Sequence, residues 1–91
     1  MLPVEWKKSA RVDLWEIVDF ISDDNPEAAQ HLKDEIESLA GKLPQNPQMY
    51  RIGRVLGTRE AVIRKNYILV YAETPSRVTI LRILHAAQEY P

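Results

Sequence analysis

The sequence predicts an α+β fold: an N-terminal antiparallel helical hairpin packed on a twisted, mainly antiparallel β-sheet. Two observations lead there. Apolar residues recur every three or four positions as far as Leu43, and nearly every second position after the loop Pro44-Gln45-Asn46-Pro47-Gln48, a change from the helical to the strand period. The helical part is divided by one short polar run, Ser22-Asp23-Asp24-Asn25-Pro26, and helices joined by so short a turn pack antiparallel. Ninety-one residues suffice for one core that buries roughly 60–65% of the unfolded surface, so a single domain over residues 1–91 is expected.

The elements follow in order. Pro3 to Trp6 reads as a short opening strand, with Val4 and Trp6 alternating against Glu5. Ser9 is a candidate N-cap for a first helix whose stripe is Ala10, Leu14, Ile17, Val18 and Ile21. Asn25 is placed to cap the second helix, with Pro26 at its first position. That helix repeats Ala28 or Ala29, Leu32, Ile36, Leu39 and Leu43 and stops at Pro44. Four β-rich segments come next, Tyr50–Leu56, Arg59–Lys65, Tyr67–Glu73 and Arg77–His85, separated by turn signals at Gly57-Thr58, Asn66 and Thr74-Pro75-Ser76. Tyr67–Ala72 and Val78–Leu84 are apolar at nearly every position, as strands covered on both faces are, and belong mid-sheet. The tail, residues 86–91, is too short for a core element and is expected on the surface.

Composition excludes several chemistries. With no cysteine and two histidines far apart, disulfides, zinc-finger patterns and thiol nucleophiles are out, and no metal or cofactor is expected. No run approaches the roughly eighteen apolar residues of a spanning helix, and the N-terminus lacks the order of a signal peptide, so a cytoplasmic protein without membrane contact is expected. The net charge of −1 hides a polarity. Residues 1–50 hold five Lys/Arg and ten Asp/Glu, whereas residues 51–91 hold seven Lys/Arg and three Asp/Glu. The second half, at +4, suits an anionic partner, either nucleic acid or an acidic protein.

Particular motifs decorate this framework: Trp-x₃-Ala-x₂-Asp-Leu at residues 6–14, Asn-Pro-Glu-Ala-Ala at 25–29, Gly-Thr-Arg-Glu at 57–60, Tyr-Ile-Leu-Val-Tyr at 67–71, Ile-Leu-Arg-Ile-Leu-His at 80–85 and Gln-Glu-Tyr-Pro at 88–91. Together they resemble the RelE/ParE superfamily of bacterial toxins. The resemblance covers nearly the whole chain, and the motif style is nearer the ParE-like branch. It implies two helices against a twisted sheet with a short first strand at its edge. It also implies a growth-inhibiting toxin of a type II toxin–antitoxin module, neutralised by a cognate antitoxin that wraps it and that alone links it to operator DNA. Members divide between poisons of DNA gyrase and metal-independent endonucleases that cut mRNA on the translating ribosome. A relic that only binds its antitoxin is a third reading.

If the chain cuts RNA, general acid–base groups and fixed cations must activate the 2′-hydroxyl and neutralise the phosphate, and Arg59, Arg82, His85 and Tyr90 are the candidates. For contact with target or antitoxin the candidates are Arg54, Arg59, Arg64, Arg82 and Trp15. Each has a plainer reading beside it. Arg82 interrupts Ile80-Leu81-Arg82-Ile83-Leu84 and is either paired with Glu60 or another acid, or used on a phosphate or partner, since its fork suits both. His85 either fixes the tail by hydrogen-bonding a backbone carbonyl or transfers protons. Arg59 follows a glycine turn and emerges at the sheet's mouth or simply opens a strand. Tyr90 has no visible packing reason, and Trp15 lies one position off the helix stripe. His31 is expected to be a solvated surface group. Toxins that dock in ribosomal RNA are expected to be strongly cationic, and the net charge of −1 favours the noncatalytic reading.

Overall fold

The computed structural model describes residues 2–91. The chain runs β1 (Val4–Trp6), α1 (Lys8–Ser22), α2 (Pro26–Lys42), a 3₁₀ turn (Leu43–Gln45), β2 (Arg51–Ile52), β3 (Arg59–Ile63), β4 (Tyr67–Glu73) and β5 (Val78–His85). The five strands form one sheet in the order β1-β5-β4-β3-β2. β1 runs parallel to β5 and the other pairs are antiparallel, so the expected class holds, with β4 central and β5 beside it. Among the described residues no helix is long and apolar enough to cross a membrane.

Local chemistry accounts for the helix ends. Asn25 Oδ1 accepts the Ala28 amide at 3.1 Å and Pro26 opens α2, as the sequence predicts. Ser9 differs from expectation. It lies inside α1, which starts one residue earlier, and its hydroxyl donates to the Leu81 carbonyl at 2.9 Å on the sheet instead of capping its own helix.

The inner core joins Ala10, Leu14, Leu32, Ile36, Ala40 and Leu43 from the helical layer to Ala61, Ile63, Leu69, Tyr71, Val78, Ile80 and Ile83 of the sheet. The opposite face of the sheet carries a second cluster, Ile68, Val70 and Leu84, with Leu81 and Tyr90 against it. A β-bulge sets which residues of β5 face each side. Val70 pairs with Arg82 but Tyr71 pairs with Ile80, so Leu81 is the extra residue on β5 and the alternation of faces shifts by one. Ile80 and Ile83 therefore both face the helices, while Leu81 and Leu84 both face away.

Two strands are shorter than their sequence pattern suggests. Tyr50–Leu56 yields only Arg51–Ile52, because the Arg54 amide donates to the Glu60 carboxylate at 3.0 Å rather than to a ladder. A loop follows whose Gly57 adopts φ 84°, a conformation open chiefly to glycine. Gly53 is needed for space, since a Cβ there would lie 2.4 Å from Thr58 Oγ1. β3 stops at Ile63 because Arg64 and Lys65 take φ 54° and 67°, the left-handed backbone that closes a tight hairpin.

Candidate functional site

β1 is too short to pair all of β5. It matches Val78 to Ile80 and leaves the remaining edge of β5 with polar groups that need partners. The start of α1 supplies them. The Lys7 amide donates to the Ile80 carbonyl at 2.9 Å, Ser9 Oγ to the Leu81 carbonyl, and the Ile83 amide donates to Asp13 Oδ2 at 2.9 Å. Asp13 also takes Arg82 bidentately, from Nε to Oδ2 at 2.6 Å and from Nη2 to Oδ1 at 3.1 Å. Arg82 is thus paired with an acid, but with Asp13 of α1 and not with Glu60. The Asp13 hydrogen bonds raise the guanidinium pKa above its ordinary value against the opposing effect of burial, so the charge is permanent. The pair is partly buried, with 33% of the Arg82 side chain and 12% of Asp13 exposed.

Arg82 shares a groove of about 330 Å³ with His85, Tyr67, Glu16 and Phe20. His85 sits opposite Tyr67 at the end of the β4–β5 ladder, and the two rings meet edge to face with centroids 5.7 Å apart. Its Nδ1 accepts the Ala87 amide at 3.2 Å, and its own amide donates to Gln88 Oε1. His85 therefore fixes the tail, by accepting from an amide where a bond to a carbonyl is expected from sequence. The arrangement leaves the ring proton of the neutral form on Nε2. Tyr90 is half-buried against the outer cluster and near enough to bear on the Arg82 charge. The packing reason that its sequence context hides is this outer cluster.

At the other end of the sheet a buried carboxylate organises the cations. Glu60 is 2% exposed and receives Arg51 Nη2 at 3.0 Å, Arg54 Nε at 3.2 Å and the Arg54 amide. Burial pushes its pKa up, but the Arg54 amide, the Arg51 hydrogen bond and the Arg54 charge together outweigh burial and hold it below the ordinary carboxylate value. Arg59 turns inward. Its Nη1 donates to the carbonyls of Tyr50 at 2.8 Å and Gln48 at 3.3 Å, which ties down the loop that Tyr71 also holds by donating from its hydroxyl to Pro47 at 2.5 Å. Arg64 pairs with Glu35 of α2 at 2.8 Å. Trp15 is 70% exposed and walls an apolar groove of about 460 Å³ between α1 and α2, with Trp6, Leu14 and Val18. His31 is exposed.

The fold thus brings Arg82, His85 and Tyr90 to one end of β5, leaves Arg59 across the sheet beside β2 with Arg54 at the same edge on Glu60, and places Arg64 apart from both on Glu35. Sequence reasoning misses Asp13 as the group that positions Arg82. A signal was present in Trp-x₃-Ala-x₂-Asp-Leu, whose aspartate is Asp13. Among the described residues no three His, Asp or Glu side chains gather as metal ligands would.

Comparison with known proteins gives a consistent picture. The family model described as ParE toxin of type II toxin-antitoxin system, parDE, matches residues 4–90. The toxin RelE2 of Caulobacter vibrioides is 33% identical over 88 residues, covering 97% of this chain and 99% of that one. Among solved structures, a chain of the chromosomal ParDE toxin–antitoxin system of P. aeruginosa superposes with a TM-score of 0.84 at 25% identity, covering 93% of this chain and 96% of that chain. The E. coli DinJ–YafQ complex contains a chain with a TM-score of 0.63 at 16% identity, covering 96% of each, a likeness of fold.

Proposed function

This chain belongs to the ParE toxin family of type II toxin–antitoxin systems, and on that premise we propose that it is a single-domain toxin that inhibits bacterial growth by binding DNA gyrase, not by cutting RNA. The observation that carries this reading is the occupation of the cations. Cleaving a phosphodiester without a metal needs fixed positive charge aimed at the phosphate. Here Arg82 is held by Asp13, Arg51 and Arg54 by Glu60, Arg59 by two backbone carbonyls and Arg64 by Glu35. Of the four residues that a ribonuclease would need, Arg82, His85 and Tyr90 share one end of β5 but Arg59 lies across the sheet, and the net charge of −1 opposes docking in ribosomal RNA.

One observation favours mRNA cleavage as the second reading: Arg82 and His85 line the same groove beside Tyr67, a cation and a proton carrier within reach of one ligand. Purified chain assayed on gyrase supercoiling and, separately, on mRNA in translating ribosomes distinguishes the two. Inhibited supercoiling with intact mRNA is expected. Cleaved mRNA with normal supercoiling overturns the proposal, and neither effect assigns the chain to antitoxin binding alone. The partner that neutralises it is a cognate antitoxin, as the ParDE and DinJ–YafQ assemblies of its structural neighbours suggest. Its acidic segment is proposed to lie on the basic half, residues 51–91, where charge complementarity is greatest. Reversing Arg54 to Glu is expected to weaken the complex at least severalfold in a titration, and unchanged affinity overturns that placement.

A further inference from the structure

The helix α1 ends against its own dipole. A helix C-terminus carries partial negative charge and favours cations, and α2 obeys this with Glu27 in its first turn and Lys42 in its last. α1 has no basic residue in its last turn, and Asp19, Asp23 and Asp24 gather there. Among the described residues, these three and Glu16 belong to no ion pair. On the same outward face Phe20 is 80% exposed and Val12 is exposed one turn and two turns away from Glu16 and Phe20 respectively. Glu16 lies near enough to bear on the Arg82 charge, but an acidic helix end around a ring left in water breaks local rules in the way binding surfaces do.

The complementary surface lies at the far edge of the sheet. The loop from Gly53 to Thr58 is clamped by Gly53 N–H to the Thr58 carbonyl at 2.8 Å, Thr58 Oγ1 to the Val55 carbonyl at 2.6 Å, and Arg54 N–H to Glu60. In it Leu56 is 99% exposed, Ile52 just before the loop in the chain is exposed as well, and Arg51 and Arg54 belong to the same segment. One surface is acidic with an aromatic anchor; the other has an aliphatic anchor and two arginines against the single buried carboxylate of Glu60, which leaves it one positive charge in excess. α1 packs beside β5 while the loop joins β2 to β3 at the opposite edge, so the surfaces are separated by the width of the sheet within one chain.

We propose that they meet between copies: the outward face of α1 on one copy receives the Gly53–Thr58 loop of a second copy, Leu56 against Phe20 and Val12, with the solvent-facing sides of Arg51 and Arg54, which stay exposed while held by Glu60, toward Glu16 and Asp19. Such an interface is heterologous, so it adds copies head to tail. The test is sedimentation velocity of the purified chain from about 5 to about 200 µM, the range that resolves micromolar association, with circular dichroism to verify folding of each variant. Mean mass rises with concentration, and the rise is suppressed between about 0.1 and about 1 M salt as the Debye length shrinks from about 10 to about 3 Å. Phe20→Arg and Leu56→Glu, both at exposed positions, are each monomeric alone. Mixed one to one they form a dimer and nothing larger, because each variant keeps the half the other lacks. A wild-type chain that stays monomeric at low salt overturns the proposal. So does association that persists in Leu56→Glu, as an α1-to-α1 dimer would show, and so does a mixture that stays monomeric.

Discussion

The two ends of the sheet meet the same difficulty with different means. At β5 the first strand is too short, and at β3 the last strand is shorter still, so each leaves an amide that no ladder accepts. In both places a carboxylate takes that amide, Asp13 from Ile83 and Glu60 from Arg54, and arginine then balances the carboxylate. The difference lies in who serves whom. Asp13 comes from a helix, stays partly exposed and holds one arginine. Glu60 comes from the sheet itself, is nearly wholly buried and is served by two arginines whose own side chains remain largely in water. The guanidiniums stay accessible at both ends, and what differs is the acid: Glu60 is buried and makes a structural knot, whereas Asp13 keeps some contact with water and leaves its pair softer.

The largest effect is therefore expected at Glu60. Glu60→Ala leaves the Arg54 amide without an acceptor, which costs about 2–3 kcal/mol, and at roughly 4–8 °C per kcal/mol for a domain of this size thermal denaturation should shift down by about 10 °C or more. The same knot has a pH signature. Because the folded pKa of Glu60 lies below its ordinary value near 4.5, its stabilisation is present above that value and drains away as pH falls through the lowered one. Melting curves taken downward from neutral pH should show a steeper loss for the wild type than for Glu60→Gln, and parallel curves would refute the assignment.

The β5 end should respond less in stability and more in function. Asp13→Ala and Arg82→Met each cost about 1–2 kcal/mol, because each strands a partly buried partner that water can still reach in part, and the double variant should cost less than the sum of the two. Arg82→Lys keeps the charge but loses the fork. If Arg82 recognises a target, this variant loses toxicity in a growth assay with a melting temperature close to the wild type; full toxicity and full stability in both Arg82 variants would leave it an ordinary surface charge. The smallest effect belongs to Ser9→Ala, which removes one exposed bond to the β5 edge and should cost about 0.5 kcal/mol. A loss as large as that of Asp13→Ala would mean that the hydroxyl, not the carboxylate, secures the edge.

What was legible in the sequence is what is decided locally. Asn25-Pro26 starts a helix because the cap and the fixed φ act within one turn, and the apolar runs of β4 and β5 reveal burial on both faces because one face meets the helices and the other the outer cluster. Ser9 and Tyr50–Leu56 misled for one shared reason. Their polar groups are claimed by partners distant in sequence or absent from any local pattern, the Leu81 carbonyl in one case and the Glu60 carboxylate in the other. The candidate site shows the same limit. That Arg82 needs an acid follows from its apolar neighbours, but Asp13 lies 69 positions away, and only the packing of α1 across the β5 edge brings it there. Tyr90 is the converse, a residue whose sequence surroundings promise nothing and whose packing partners come from two strands.

The β3–β4 hairpin carries one further consequence. Its tip exposes Arg64 and Lys65 side by side, the residues after which trypsin cuts. A protease reads its substrate as an extended strand, and two successive left-handed residues cannot be drawn into that shape while Ile63 and Tyr67 stay paired. Cleavage at this dipeptide has to wait for the hairpin to open, so the rate of nicking under conditions of fast reclosure reports how often it does. This exposed hairpin tip is in this sense a built-in clock for the opening of its own sheet.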